Sequence, residues 1–245
     1  MNATPHTPVG QVVAADYRAA AVFSKYGIDF CCGGGRSIEE SCQAQGVNPD
    51  QVIGEVLRVC EHEDASAPKF TDWDAPALID HIISKHHAYV RRALPALAAY
   101  TAKLSTVHGP NHPELLEVER IVEDVVAEMT SHMMKEEQIL FPYVTGLATA
   151  AATHGTLPGS PFGSVGNPIR MMEDEHESAG NALARIRELT GDYAPPPDAC
   201  TTYRVCLQEL EAFEQDLHAH VHLENNILFP KALRLETELA SAARA

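Results

Sequence analysis

The chain is 245 residues long, 45% apolar and carries a formal charge of −16, which suits one large domain or a small domain followed by a medium one. The acidic excess excludes the basic footprint that a nucleic-acid partner needs. The opening MNATPHTPVG has no basic stretch leading into an apolar run, and no later segment offers about 18 continuous apolar residues. The expectation is therefore a cytoplasmic protein with no membrane partner, whose six cysteines are free thiols or metal and redox groups.

In chain order, Val9 to Tyr26 and Ser37 to Cys60 carry apolar side chains at helical spacing. Between them YGIDFCCGGGR interrupts the pattern with four glycines. This predicts a small helical domain over residues 1–72. EHEDASAPKFTDWD, from Glu61 to Asp74, is polar and aperiodic and reads as a linker. Residues 73–245 then hold four long amphipathic patterns, at about Ala75–Leu104, Pro113–Leu147, Asn167–Leu189 and Pro197–Leu239. With no strand signal among them, the prediction is an all-α chain ending in a four-helix bundle. Pro113 and Pro197 sit where a first-turn proline is tolerated, whereas Pro142 and Pro230 must kink or end their helices.

An internal repeat carries the functional reading. His132 to Pro142 is HMMKEEQILFP and His220 to Pro230 is HVHLENNILFP, identical at six positions and 88 residues apart. A second pair, His87 and His176, lies 89 residues apart on the first and third helices. Each helix pair thus offers one lone histidine and one His-x-x-x-Glu. Residues i and i+4 stack on one helix face, so His132 with Glu136, and His220 with Glu224, each aim an imidazole and a carboxylate at a common point. The bundle interior then receives four imidazoles and two carboxylates, and the two glutamates are placed to span two cations.

An i, i+4 His/Glu pair is common on solvated helices, but these two lie in apolar rows. Met129, Met133, Ile139 and Leu140 flank the first, and Phe213, Leu217, Ile227 and Leu228 the second. A charge on a buried stripe is costly unless it is paired or coordinated, which favours a ligand role. Imidazole and carboxylate without thiolate suit iron or manganese and tolerate zinc.

The motifs DFCCGG, DHIIxxxH, SHMMKEEQILFP, ExEHxxAG and HxxLENNxLFP, read from Asp29, Asp80, Ser131, Glu173 and His220, resemble the iron-sulfur cluster repair di-iron proteins. That family joins a short cysteine-bearing domain to a hemerythrin-like one, and the resemblance spans nearly the whole chain. It implies two iron ions per chain, oxo-bridged, with His87, His132, Glu136, His176, His220 and Glu224 as ligands and the two glutamates bridging. The family's DHIIxxxH spacing and the repeat interval both select His87 over His86, which is left at the surface or beside a ligand. Alignment of the LFP segments selects His220 over His218 and His222, which are expected in solvent. Glu128 and Asp216, each four residues before a ligand histidine, suit carboxylates that orient an imidazole, or are plain solvated acids. Glu175 is a candidate for a cation path.

Compared with an oxygen-carrying hemerythrin, the third helix has Gly180 where a second histidine would stand. One protein ligand fewer leaves a coordination position to water or a small molecule such as nitric oxide or oxygen.

Cys31 and Cys32 are the second candidate site, as a thiol relay or redox pair. Adjacent Cα atoms stand about 3.8 Å apart, too close for an unstrained disulfide, so exchanging thiols are expected. The alternative is a pair of small buried residues at a helix end or dimer contact. Cys42, Cys60, Cys200 and Cys206 read as structural. Two functions follow. One is repair of iron-sulfur proteins damaged by nitrosative or oxidative stress through supply of iron, as the resemblance implies. The other is binding or reduction of nitric oxide at the open iron position. Damaged iron-sulfur proteins are the expected partners, and a homodimer through the N-terminal domain is a further expectation.

Overall fold

The computed structural model describes residues 3–61 and 68–242; residues 62–67 of the expected linker lie outside the described residues. The fold is all-α. Among the described residues the sole ladder element is an isolated antiparallel bridge between Pro8 and Ser37. The chain divides into two compact units. The first comprises Met1–Ile79, Val144–Gly166 and His218–Ala245, and the second Asp80–Tyr143 with Asn167–Leu217. Segments from the middle and end of the chain join the N-terminal helices in the first unit.

The two N-terminal helical stretches each resolve into a pair: α1 Val9–Ala15 and α2 Ala19–Lys25, then α3 Ile38–Gln45 and α4 Pro49–Val59. The breaks have local causes. Asp16 leaves α1 in extended backbone, and its carboxylate accepts from the Arg18 backbone N–H and guanidinium. Gly46 closes α3 at φ 66, the left-handed conformation that glycine adopts without a Cβ penalty. Asn48 then caps α4, with Pro49 at its first position. At the front of α3, Ser37 and Glu40 form a reciprocal capping box. Val9, Phe23, Ile38, Val52 and Val56 are fully buried, each contributing roughly 1.5–3 kcal/mol of transfer free energy.

The longer helices follow as α5 Ala75–His81, a π-helical segment π1 Ile82–His87, and α6 Ala88–His108. Next come α7 Glu114–Lys135, π2 Glu136–Leu140 and α8 Phe141–Ala152. The last are α9 Gly166–Leu189, α10 Thr201–Leu223, π3 Glu224–Leu228 and α11 Phe229–Ala242. Asp74 starts α5 by accepting the Ala77 N–H at 2.8 Å. Pro113 stands just ahead of α7, and α10 begins at Thr201, four residues beyond Pro197.

Neither Pro142 nor Pro230 ends its helix. In each repeat the N–H of the preceding phenylalanine reaches back five residues, Phe141 to the Glu136 carbonyl and Phe229 to the Glu224 carbonyl. The widened turn absorbs the proline's missing donor and its ring while the helix continues. Within the second unit α6 packs along α7. Leu94, Leu97, Leu104, Leu115, Val118, Val122, Leu210 and Phe213 are among its buried apolar side chains.

Candidate metal centre

In the second unit, two of the four proposed ligands sit where a helix departs from α geometry, and His132 and His176 lie within α-helices. His87 ends π1 and Glu136 opens π2. Single π turns inside α-helices recur at functional sites because the extra residue re-aims the side chains around it. His87 Nε2 and His132 Nε2 each lie 3.3 Å from Oε2 of Glu136, so one carboxylate oxygen faces two imidazoles from different helices. His176 Nε2 stands 3.1 Å from His132 Nε2. Two nitrogens at about 2.1 Å from a common metal and at right angles would be roughly 3.0 Å apart, so the spacing fits a shared cation. His132, Glu136 and His176 are grouped within 4.8 Å as ligand atoms.

These four side chains have 0% or 1% exposure. A buried carboxylate costs several kcal/mol unless cations or donors surround it, a cost that a metal held by these residues would meet.

The second nitrogens of the His87 and His132 rings are held in place. His87 Nδ1 meets Glu137 Oε1 at 2.6 Å, and Arg91 donates to the same oxygen at 2.6 Å. Burial raises the Glu137 pKa, but the hydrogen bonds from His87 and Arg91 outweigh it and hold the carboxyl below its usual range. His132 Nδ1 meets Glu175 Oε2 at 2.9 Å, with Lys135 also on Glu175. Glu175 is likewise held low, burial being outweighed by the Lys135 and His132 hydrogen bonds. A carboxylate on Nδ1 fixes the tautomer that leaves Nε2 free to coordinate.

Glu137 is absent from the sequence reading; its signal is faint, a second acid beside Glu136, just as Glu175 stands beside His176. Glu128 accepts from the Ser178 hydroxyl at 3.3 Å, and Glu175 occupies the His132 nitrogen that Glu128 was a candidate to hold. Asp216 meets His86 Nδ1 at 3.0 Å, and His86 is buried, not at the surface. Ile139 is 50% exposed, so it lies outside the apolar row; the π turn swings it toward solvent, whereas Met129, Met133 and Leu140 stay buried.

The first unit carries the second repeat. His220 Nε2 lies 3.0 Å from Glu224 Oε1, both residues fully buried, and Glu224 opens π3 as Glu136 opens π2. His222 is not in solvent. It is 1% exposed, its ring centroid 5.9 Å from those of both Tyr17 and Phe30, and burial pushes its pKa down to about 4. The N-terminal rings cover it, which helical periodicity alone does not reveal. His218 is half-buried, with Phe30 edge-on at 5.9 Å.

The cysteine loop lies in this same unit. The Asn226 side-chain amide, two residues after Glu224, donates to the carbonyls of Phe30 at 3.3 Å and Cys31 at 3.1 Å. A Cβ on Gly34 would stand 2.4 Å from Asn226 Oδ1 and 2.8 Å from the Phe30 carbonyl; one on Gly10 would stand 2.1 Å from Asn226 Oδ1. Gly34 is therefore required by the approach of backbone, and a Cβ at Gly10 would push aside the Asn226 amide that holds the loop. Cys31 is buried and Cys32 half-buried, and neither forms a disulfide.

Of the cysteines read as structural, Cys42, Cys60 and Cys206 are buried, and burial pushes Cys60 and Cys206 up to about 11 and about 12. Cys200 differs. It is exposed, 3.2 Å from His108 Nε2, and the Tyr203 N–H together with His108 brings its thiol down to about 7.

Comparison with known proteins gives two family matches along the chain. The hemerythrin HHE cation binding domain matches residues 78–232, and ScdA_N, a domain of unknown function (DUF542), matches residues 5–59. The chain is 34% identical over 228 residues to the iron-sulfur cluster repair protein ScdA of Staphylococcus haemolyticus (strain JCSC1435), covering 93% of this chain and 98% of that relative. It is 35% identical over 230 residues to the iron-sulfur cluster repair protein YtfE of Enterobacter sp. (strain 638), covering 92% and 96%. The YtfE protein of Escherichia coli O81 (strain ED1a) is also 35% identical, over 232 residues, with the same coverage. With its buried histidine and glutamate cluster, its repeated His-x-x-x-Glu helix and relatives matching over almost their whole length, the chain belongs to the ScdA and YtfE family of hemerythrin-domain proteins.

Proposed function

We propose that the chain repairs iron-sulfur clusters damaged by nitrosative or oxidative stress, supplying iron from a di-iron centre. His87, His132, Glu136, His176, His220 and Glu224 are its ligands, with Glu136 and Glu224 joining the two irons beside an oxo bridge. The observation that carries this reading is the single Glu136 oxygen facing two buried imidazoles, in a motif that the chain repeats 88 residues later. The relatives' names supply the activity. Iron bound there supplies an exchangeable store of metal with a coordination position not filled by protein. Glu137 and Glu175 hold the imidazole protons on Nδ1, which keeps His87 and His132 in the coordinating tautomer.

The expected setting is the cytoplasm, and the expected clients are iron-sulfur proteins. No helix among the described residues is long and apolar enough to cross a membrane.

The test begins with metal content. His132→Ala and His220→Ala should each drop well below two irons per chain with helical content retained, because the bundle's apolar contacts remain. Iron-loaded parent should then restore an iron-sulfur enzyme inactivated by nitric oxide faster than an equal amount of free ferrous ion, and the two variants should not. Full iron in both variants overturns the ligand set. Uptake of nitric oxide without any restoration would replace repair by gas handling.

A further inference from the structure

Outside the histidine and glutamate cluster, the loop before α3 gathers three donors that the centre does not use. The Asp29 carboxylate is fixed by its own backbone. Oδ1 accepts from the N–H groups of Cys31 at 2.9 Å and Cys32 at 3.0 Å, and Oδ2 accepts from Gly33 at 2.8 Å. Oδ1 accepts two of these backbone bonds, so the one position they leave free of the roughly four on a carboxylate is on Oδ2. Cys31 Sγ lies 3.2 Å from Asp29 Oδ1 and 4.0 Å from Cys32 Sγ, and donor atoms of all three residues lie within 4.8 Å of one another.

Two sulfurs at about 2.3 Å from a tetrahedral cation stand roughly 3.8 Å apart, and a sulfur and a carboxylate oxygen on that cation roughly 3.5 Å. The loop therefore already holds its donors near the edges of one coordination polyhedron. A sulfur separation of 4.0 Å is far beyond a disulfide bond, so both thiols remain ligands.

We propose that Asp29, Cys31 and Cys32 form a second metal site, distinct from the six bundle ligands, that takes a thiophilic divalent cation such as ferrous iron or zinc. Two thiolates and one carboxylate carry three negative charges, which an exchangeable dication reduces without saturating its coordination. Asp29 is exposed and Cys32 half-buried, so the remaining positions open to solvent or to a ligand from a client protein. The loop is held from beneath. Asn226 grips the Phe30 and Cys31 carbonyls, and the Val9 and Gly10 N–H groups bond to the Arg36 and Gly34 carbonyls, so the donors keep their places without metal.

Without a cation the Cys31 thiol keeps its proton and donates it to Asp29 Oδ1. The Cys32 sulfur, burial and the Asp29 carboxylate all push the Cys31 thiol far above its ordinary range. A bound metal reverses that bias and releases the thiol protons.

The site is independent of iron in the bundle, so its test leaves that centre loaded. Cadmium chloride is titrated into iron-loaded full-length chain carrying Cys200→Ser, reading thiolate-to-cadmium absorption in the near ultraviolet, a band that histidine and carboxylate ligands do not give. The expected result is a band saturating at one cadmium per chain, with proton release. Cys31→Ser with Cys32→Ser should abolish the band. Asp29→Asn should weaken binding at least about tenfold, since even residues that only orient a ligand cost that much. Should the double variant fold poorly, Cys32→Ser alone, at the half-buried position, should lower the band to about half. No band in the parent, or an undiminished band without both thiols, overturns the proposal whatever the state of the bundle iron.

Discussion

Individual side chains in this protein are tuned by the group that touches them, and two predictions follow at this scale. Glu137 reaches His87 from the position beside a ligand, and its removal frees the imidazole to rotate and change tautomer. Glu137→Ala should lower iron affinity by about tenfold to a hundredfold, measured by competition with a colorimetric chelator. Glu128→Ala, whose carboxylate meets Ser178 and no ligand ring, should leave it unchanged. Cys200 is the second case. With its pKa lowered to about 7, it is protonated below that pH and roughly half thiolate at it, whereas Cys206, raised to about 12, stays protonated throughout. Iodoacetamide mapping by mass spectrometry should show Cys200 alkylated first, its rate rising from pH 5.5 to pH 8. His108→Ala should move that rise to higher pH. No periodicity announces such a thiol, because its partners come from Tyr203 at the start of α10 and from His108 at the distant end of α6.

At the scale of elements, the repeated HxxxExxILFP segment is repeated in backbone as well as in sequence. Both copies open a π turn on the glutamate and close it just before the proline, so the proline reshapes the helix instead of stopping it. The sequence marks the disturbance, since proline must remove one hydrogen bond; whether the helix ends or widens depends on helix continuing on the far side. In the second copy Asn226 on π3 also anchors the cysteine loop, and Gly10 in α1 touches it. Replacing a helical glycine by alanine ordinarily stabilises, by about 1 kcal/mol in a helix interior and less at a second position such as Gly10. Gly10→Ala should instead destabilise, because its Cβ would stand 2.1 Å from Asn226 Oδ1. Asn226→Ala should itself cost about 1–3 kcal/mol by leaving the Phe30 and Cys31 carbonyls without their donor. Urea unfolding of both single variants and the double variant should give a coupling of roughly 0.5–3 kcal/mol, with Gly10→Ala better tolerated once Asn226 is gone. Additive costs would remove this contact from the account.

For the whole molecule, the acidic surface and the buried carboxylates pull in the same direction, toward a chain that is stabilised by cations. A ligand present at a hundredfold its dissociation constant adds about 2.7 kcal/mol to folding. For a chain of this size that is roughly 5–11 °C of melting temperature. Chelating the iron should therefore lower the melting temperature by at least about 5 °C, read by circular dichroism, and reloading should restore it; an unchanged melt would argue that the buried histidines and glutamates satisfy one another without metal. The chain by itself determines the helices, their approximate spans, the all-α class and the duplicated His-x-x-x-Glu motif, because helical period and a repeated motif are local and survive in one dimension. It also marks Cys31 and Cys32, since adjacent thiols before a glycine run stand out in any reading. It does not determine which acid meets which imidazole, that His86 and His222 are buried, that the cysteine loop rests on the Glu224 turn through Asn226, or that Cys200 is activated. Those facts join residues from 43 to 196 positions apart. They are settled only when packing brings those side chains within hydrogen-bond reach, at separations where sequence spacing carries no geometric information.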